Sequence, residues 1–357
     1  MIPNSPGLYL SSSGSYPRTG DAAEFQTLAQ TIEAYDRGDS TMADVREAEN
    51  AVIRSAIAEQ VTAGLDVLTD GLIRWRDPIS HIAGKLENVR IKDSLRFLDT
   101  DFQYRQPVLT RKPTRKTALV LDEFAFARNA LGHLPTPRDK AGKLSIKPVL
   151  TGPYTLAKLS FSENTSDGVA GVRADLDARS MAYAEAIAAE IVVLAQSGAE
   201  LIQVDEPASI QHPEDWEILE KSLAVLARAR DKAAEAGRKT EIALYVYYRD
   251  CVPLFDKLVA LPVDVVGLDF AANARLIDAI TSSGSPKPLA LGLLDGRNAR
   301  LEDVDTVGRQ IEQLMPKIQG GRAYLGTSSG LAHLPREAAY KKIALLAKVR
   351  TALYGHS

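Results

Sequence analysis

The chain has almost no cysteine: its 357 residues include a single one, Cys251. One thiol cannot form an internal disulfide, and it cannot supply a metal or redox site that needs two thiolates. Low cysteine usage of this kind is typical of proteins from a reducing compartment. We therefore expect a cytoplasmic protein.

Long apolar runs and an excess of one charge are also missing. No run approaches the roughly 18 apolar residues that a membrane span needs. The opening MIPNSPGLYL has neither the basic region nor the long apolar region of a secretory signal. The formal net charge of −3 gives no electrostatic reason to expect a nucleic acid or an anionic membrane as a partner. We expect a small-molecule substrate, and a homo-oligomer remains open.

The apolar residues are arranged in short runs that alternate with long amphipathic stretches. Strands are predicted at 8–12, 66–69, 147–151, 201–204, 242–247, 263–269, 288–294 and 322–326. Most of these runs precede a helical pattern, and the clearest helical patterns lie at 170–197, 214–236, 302–319 and 336–353. Parallel strands need helical crossovers, so the order predicts an α/β protein: one (β/α)8 TIM barrel over 1–357. A doubly wound sheet is the alternative, but no GxGxxG follows the first strand.

Residues 86–145 interrupt this alternation. The segment is charged, has little helical periodicity and contains basic pairs at Arg111-Lys112 and Arg115-Lys116. We interpret it as an insertion after the second strand. Two interpretations stay open: a β-rich antiparallel flap over the mouth of the barrel, or a solvent-exposed excursion without a role.

Polar residues follow nearly every predicted strand. Because the active sites of such barrels lie at the carboxyl ends of the strands, these positions are the candidates for a site. They are Ser12, Ser13, Gly14, Ser15, Asp70, Thr151, Asp205, Glu206, Tyr245, Tyr247, Asp269, Asp295, Ser328 and Ser329. An aspartate after a strand is as often a turn former or helix cap as a reactive group.

Several of these segments together resemble the catalytic barrel of the cobalamin-independent methionine synthases. The segments are Ser13-Gly14-Ser15-Tyr16-Pro17-Arg18-Thr19, Lys147-Pro148-Val149-Leu150-Thr151-Gly152-Pro153, Gln203-Val204-Asp205-Glu206-Pro207-Ala208 and Gly326-Thr327-Ser328-Ser329-Gly330-Leu331. The resemblance implies that the first segment holds a substrate carboxylate and that Asp205 contacts a substrate ammonium. It also implies a methyltransferase of methionine biosynthesis.

The chain departs from the family at the metal site. By position, the family's zinc ligands His, Cys, Glu and Cys become Tyr245, Tyr247, Asp269 and Ser329. Zinc prefers thiolate, imidazole and carboxylate ligands, and neutral phenols are poor substitutes. We therefore expect no metal and no other cofactor. Further departures place Leu72, Leu159 and Arg297 where the family has Glu, Trp and His.

Two tyrosines replace the ligands on one strand. Tyr245 and Tyr247 alternate with Val246, so their side chains point to one side of the strand. Their polar tips at a strand end favour the interior mouth of the barrel, where a phenol can donate a proton or provide an aromatic wall. The alternative is that both are ordinary core residues.

We combine the motifs and the strand ends into two sets of candidate residues. The catalytic set is Asp205, Tyr245, Tyr247, Asp269, Asp295 and Arg297. The substrate-binding set is Ser13, Gly14, Ser15, Arg18, Asp70, Arg74, Thr151, Glu206 and Ser329. Arginines are included because a guanidinium binds carboxylate or phosphate with two parallel hydrogen bonds.

The sequence predicts a methyl or alkyl transferase that acts on a small thiol or a sulfur-containing amino acid without zinc. Some cation, for example Arg249 or Arg297, would then have to lower the thiol pKa. Two alternatives remain open: a metal-free lyase or decarboxylase that resembles uroporphyrinogen decarboxylase, and a non-catalytic amino-acid-binding barrel. Short members of the resembled family imply a corrinoid protein as a further candidate partner that donates the methyl group.

Overall fold

The computed structural model describes residues 7–135, 140, 142–163 and 169–355. Its strands are β1 (Leu8–Leu10), β2 (Val67–Leu68), β3 (Leu86–Arg96), β4 (Gln103–Arg115), β5 (Ser145–Ile146), β6 (Val149–Thr151), β7 (Phe161–Ser162), β8 (Leu201–Asp205), β9 (Glu241–Val246), β10 (Val265–Asp269), β11 (Leu289–Leu294) and β12 (Ala323–Thr327). The strands that correspond to the eight predicted runs are all present.

Helices separate most of these strands. They are α1 (Ala23–Arg37), α2 (Met42–Thr62), α3 (Ser80–Ala83), α4 (Leu121–Gly132), α5 (Pro153–Lys158), α6 (Val169–Gln196), α7 (Trp216–Glu235), α8 (Phe255–Ala260), α9 (Leu276–Ser283), α10 (Val304–Leu314) and α11 (Arg336–Tyr354). Among the residues that the structure describes, no helix combines the length and the apolar character needed to cross a membrane.

The chain divides into two compact units. The first unit comprises the chain up to Arg74, then Phe124–Ile146, then the chain from Asp269 onward. In it, β12 pairs in parallel with both β1 and β11, and a parallel bridge from Ser11 to Val67 joins β1 to β2. Strand β2 pairs in parallel with β5.

The second unit comprises Trp75–Glu123 and Lys147–Leu268. Its strands β6, β8, β9 and β10 pair in parallel in that order. Every residue of β8 before Asp205 is buried, and so is every residue of β9 after Glu241. Continuous apolar runs of this kind are typical of parallel strands that are covered on both faces. The predicted α/β class with parallel strands is confirmed.

The predicted insertion begins with a long antiparallel hairpin formed by β3 and β4, and β7 adds to β4 in parallel. Its basic residues have acidic partners: Lys112 pairs with Glu185, and Lys116 pairs with Glu87. These ion pairs place negative charge beside both lysines.

Helix α4 in the same segment was not expected from its weak periodicity. Its start is held by Glu190 of α6, whose carboxylate accepts hydrogen bonds from the amides of Val120 (2.7 Å) and Leu121 (2.9 Å). Glu190 also pairs with Arg115 at 2.7 Å and is fully buried. Because the group that caps this helix comes from a distant helix, local sequence could not reveal it.

Replacement of Glu190 by alanine is expected to destabilise the protein by about 3 kcal/mol, because the partly buried guanidinium of Arg115 and two amides lose their partner. Urea denaturation measures the free energy of unfolding. Glu87→Ala, which removes the exposed partner of Lys116, is the matched control and should leave the midpoint unchanged. Equal effects of the two variants would contradict the capping role.

Candidate active site

The register of three strands brings predicted residues of the second unit together. Thr151 of β6 pairs with Asp205 of β8, and Asp205 pairs with Tyr245 of β9. Backbone bonds continue one residue beyond: Gly152 N donates to Asp205 O (2.8 Å), and Glu206 N donates to Tyr245 O (2.9 Å). The carboxyl ends of these strands are therefore level with one another.

Glu206 holds the backbone rather than facing a ligand. Its buried carboxylate accepts from the amide of Tyr154 (2.9 Å) and from the amide (2.7 Å) and hydroxyl (2.6 Å) of Thr155, at the start of α5. Burial raises the pKa of Glu206 to about 7. A side chain at Gly152 would collide with this carboxylate, which explains the glycine there. Glu206 thus attaches α5 to β8, and its predicted substrate-binding role stays a prediction.

Four side chains form what we call the buried cluster: Lys147, Asp205, Tyr245 and Tyr247. The Lys147 Nζ donates to the Tyr245 hydroxyl at 3.1 Å and lies 4.7 Å from the centre of that ring. The Tyr247 hydroxyl donates to Asp205 Oδ2 at 3.2 Å, and the Gln203 amide donates to Oδ1 at 2.7 Å. Both predicted tyrosines therefore direct their hydroxyls towards charged groups.

Burial shifts the protonation of the cluster. It raises the pKa of Asp205 from 3.8 to about 7, and the hydrogen bond from Gln203, the charge of Lys147 and the hydrogen bond from Tyr247 only partly offset it. Burial lowers the pKa of Lys147 from 10.5 to about 7, which the charge of Asp205 opposes. Burial and the neighbouring carboxylate raise the pKa of Tyr247 well above its ordinary range. Both charged groups therefore titrate near neutrality.

Asp205 is the member of the cluster that reaches solvent. Asp205 is partly exposed. By contrast, Lys147 is 1% exposed, Tyr245 is 6% exposed and Tyr247 is 9% exposed. The ring of Tyr245 also lies against Gly267 of β10, where an added Cβ would come within 2.7 Å of it. The alternative that both tyrosines are core residues holds for their rings, while their hydroxyls belong to a polar centre.

In the first unit, the opening serine and glycine motif is tied to the loop after β12. Ser13 Oγ donates to Thr327 O (2.6 Å), Thr69 Oγ1 donates to Gly14 O (2.7 Å), and Leu331 N donates to Ser15 O (2.7 Å). The predicted substrate-binding residues Ser13, Gly14 and Ser15 thus form a braced turn.

Ser329, in the loop after β12, stands at a zinc-ligand position by resemblance. It is 1% exposed, and its hydroxyl has no hydrogen-bond partner within the described chain. A Cβ at Gly296 would lie 2.9 Å from this hydroxyl. The hydroxyl thus remains the unassigned polar group of this loop.

The three predicted aspartates of the first unit each hold their own turn. Asp70 Oδ1 accepts from Leu72 N (3.0 Å), Asp269 Oδ1 from Ala272 N (2.9 Å) and Asp295 Oδ1 from Arg297 N (2.9 Å). These are the turn-forming bonds of the alternative interpretation. Their predicted functional roles stay predictions.

The predicted arginines differ in their surroundings. Arg74 is placed against α2: it donates to Asn50 (2.6 Å) and stacks over Phe126, 5.2 Å from the ring centre. Arg297 lies near Asp295 (3.6 Å) and Arg18 is partly exposed. Arg249, offered as a cation near the thiol, pairs instead with Asp99 on the hairpin.

The residues present do not fit the family's zinc. The Tyr245 hydroxyl accepts a hydrogen bond from the ammonium group of Lys147, and the Tyr247 hydroxyl donates a hydrogen bond to Asp205. Among the residues that the structure describes, no group of three or more His, Cys, Asp or Glu side chains is placed to share an ion. Ser329 adds only a neutral hydroxyl.

Lys147 is the residue that the sequence interpretation missed. It stands in an otherwise apolar run, Ile146-Lys147-Pro148-Val149, directly before β6. A lysine that is buried must be paired or lose its proton. The isolated charge in a strand-like run was therefore the available signal.

Most of the chain is similar to proteins of one known family. Residues 11–352 match the sequence profile described as "Cobalamin-independent synthase, Catalytic domain". A protein of Saccharolobus solfataricus named "Methionine synthase" is 26% identical, with 92% of this chain and 90% of the relative covered. A protein of the same name from Pyrococcus furiosus is 28% identical and covers 92% of this chain and 88% of the relative.

Two solved structures share the fold. One is a B12-independent methionine synthase from Shewanella sp. W3-18-1 in complex with selenomethionine, with a TM-score of 0.72, 18% identity and 97% of each chain covered. The other is a putative vitamin-B12-independent methionine synthase from Listeria monocytogenes, with a TM-score of 0.67, 16% identity and 98% of each chain covered. These likenesses confirm the predicted α/β barrel fold.

The raised pKa of Asp205 predicts how stability depends on pH. Folded protein keeps the proton of Asp205 up to about pH 7, whereas unfolded chains lose it near pH 3.8. The stability that protonated Asp205 contributes is therefore complete below pH 3.8 and is lost as the pH rises through about 7. Relative to Asp205→Asn, the wild type should lose free energy of unfolding between these values and then level off.

Urea denaturation of both proteins at a series of pH values measures this difference. In a Lys147→Met background the loss of unfolding free energy should be larger and continue to higher pH. The reason is that the cation that lowers the pKa of Asp205 is absent. A difference that grows with pH in favour of the wild type would show that Asp205 is ionised in the folded protein throughout.

Proposed function

The chain belongs to the family of cobalamin-independent methionine synthases, and from this premise we propose that it transfers a methyl or alkyl group to the sulfur of a small amino-acid thiol without zinc. The family makes the chain a methyltransferase-like enzyme. The thiol acceptor is supported by the relatives named "Methionine synthase". The buried cluster would perform the activation that a metal performs elsewhere.

One observation carries the proposal: Asp205 is a partly exposed carboxylate in a cluster whose other members are buried. A thiol ionises near pH ~8.5, and an ordinary aspartate with a pKa of ~3.9 is far too weak a base for it. Burial raises the pKa of Asp205 to about 7, which brings it close to the pKa of the thiol. A base with a pKa near the working pH transfers protons most effectively.

The proposed step uses only groups of this cluster. The S–H bond of the acceptor breaks, its proton moves to Asp205, and the sulfur forms a bond to the methyl carbon as that carbon leaves its donor. Tyr247 orients the receiving oxygen by donating to it at 3.2 Å. The charge of Lys147 opposes the rise of the Asp205 pKa. Lys147 therefore acts on the reaction through Asp205, as a positioning residue. Solvent then removes the proton from the exposed side of Asp205.

The resemblance also offers a second role for Asp205, as the anchor of a substrate ammonium. The two roles differ in what they require. A base must change its protonation during turnover, whereas an anchor must stay ionised and affects substrate binding most. Kinetic constants of a single variant can therefore separate them.

We expect Asp205→Asn to lower kcat by ~100-fold or more, because a general base contributes that much, while KM changes little. Turnover is measured by mass spectrometry with L-homocysteine as acceptor and a panel of methyl donors that includes methyltetrahydrofolate and a methylated corrinoid. Wild-type kcat should fall below about pH 7 as Asp205 becomes protonated.

The control is Asp256→Asn, which changes an exposed aspartate on α8 and should leave both constants unchanged. A rise of KM at constant kcat would assign Asp205 to the ammonium instead. The proposed function is wrong if no donor in the panel methylates any small thiol, or if the protein releases carbon dioxide from an acidic substrate.

Metal removal gives a separate prediction. Because the described residues of the second unit include no zinc-binding set, dialysis against a strong chelator should leave the transfer rate unchanged. Elemental analysis before and after dialysis should find zinc far below one ion per chain. Stoichiometric zinc, with activity lost on chelation and restored by zinc alone, would contradict zinc-free activation.

A further inference from the structure

Three aromatic rings meet beside Asp205, and we call Phe102, Tyr247 and Tyr248 the aromatic corner. The rings of Tyr247 and Tyr248 are 4.5 Å apart and inclined at 77°. Phe102, from the hairpin of the insertion, meets Tyr248 at 6.3 Å and 69°. Each of these two neighbouring ring pairs is thus packed nearly edge to face.

The corner is held from both sides. Phe97 stacks on Phe102 at 5.0 Å, which fixes the ring on the hairpin. On the strand side, Arg249 forms an ion pair with Asp99, which ties the loop after β9 to the turn between β3 and β4. Tyr248 has a φ of 79°, a value that costs energy for a residue with a side chain. Its neighbours must therefore keep it in place.

The corner combines electron-rich aromatic faces with one carboxylate. Aromatic faces are electron-rich, and Tyr247 connects the corner to the carboxylate of Asp205 through its hydroxyl. Phe102, Tyr248 and Asp205 are all partly exposed. Two cations lie nearby: Arg249 is paired with Asp99, and Lys147 is buried behind Asp205.

We propose that the aromatic corner and Asp205 bind the methyl donor, and that this donor is a methylated onium cation, a sulfonium or a quaternary ammonium. This proposal rests on the proposed function, since it names the donor for the same site. Aromatic rings in contact with one another, one of them bonded to a carboxylate, provide the chemistry that recognises such cations, which offer methyl groups and a diffuse charge but no strong hydrogen bond.

The step balances without a further reactant. The acceptor S–H gives its proton to Asp205, and the resulting thiolate attacks an onium methyl carbon. The new S–C bond forms as the old bond between carbon and the onium atom breaks, and that bond's electron pair leaves with a neutral thioether or amine. Nothing is oxidised or reduced.

The electrostatics of the site favour such a donor. A thiolate and an onium cation neutralise each other as they react, so a site poor in water speeds the step instead of opposing it. A donor that is neutral would instead leave with a negative charge and need an added proton. An onium donor therefore compensates for the absence of a metal on the acceptor side.

Binding is tested with three probes of one shape: choline, its dimethylsulfonium analogue and the uncharged 3,3-dimethylbutan-1-ol. Titration calorimetry should show at least ~10-fold tighter binding of the cations than of the alcohol. Tyr248→Leu and Phe102→Leu should remove most of this difference, while Tyr248→Phe keeps it. Phe161→Leu, at an exposed ring on β7, is the matched control, and thermal unfolding verifies that each variant is folded.

Charge gives an independent arm. Asp205→Asn should weaken the binding of both cations but not that of the alcohol, because only the cations gain from the carboxylate charge. Equal affinity for the cations and the alcohol, or unchanged cation affinity in Tyr248→Leu, would overturn the proposal. Preference between the two cations identifies the onium element.

Turnover separates this inference from the function beneath it. A deuterated methyl group on the sulfonium should appear on L-homocysteine, as detected by mass spectrometry. If the thiol is methylated by a folate or a corrinoid but never by an onium compound, the donor assignment fails and the transferase stands. If no donor methylates a thiol, the proposed function fails even where onium cations bind.

Discussion

The electrostatic attraction between Lys147 and Asp205, at the ends of parallel strands, governs the chemistry of the second unit. Neither charge can be well hydrated there, since Lys147 is 1% exposed and Asp205 keeps only part of its surface in solvent. Each group therefore favours its neutral form, while their attraction favours the charged forms. Two phenols mediate the balance by bonding one group each.

Neighbouring carboxylates in this chain have separate duties. Asp205 and Glu206 are adjacent, yet one is partly exposed and the other is closed off by the amides of Tyr154 and Thr155. The same division recurs in the first unit, where Asp70, Asp269 and Asp295 each stabilise a turn. Acidic residues at the strand ends of this chain thus form turns, whatever further role they have.

Sequence predicted the strands well, because buried parallel strands are continuous apolar runs and the polar residues follow directly after them. It also placed Asp205 and the two tyrosines at the carboxyl ends of two separate strands. The duty of Glu206 could not be predicted, since its partners come from another strand and helix. The start of α4 at Leu121 was hidden for the same reason, because Glu190 caps it from a distance. Lys147 was visible only as an odd charge among apolar neighbours.

The packing of the Tyr245 ring on Gly267 makes the residues at these two positions depend on each other. Any side chain at 267 would occupy the space of the ring, since an added Cβ would approach within 2.7 Å. Replacement of Tyr245 by a smaller, metal-binding residue would leave a cavity over Gly267. It would also remove the hydroxyl to which the Lys147 ammonium donates. Exchange of either residue alone is therefore unfavourable, which couples the two positions energetically.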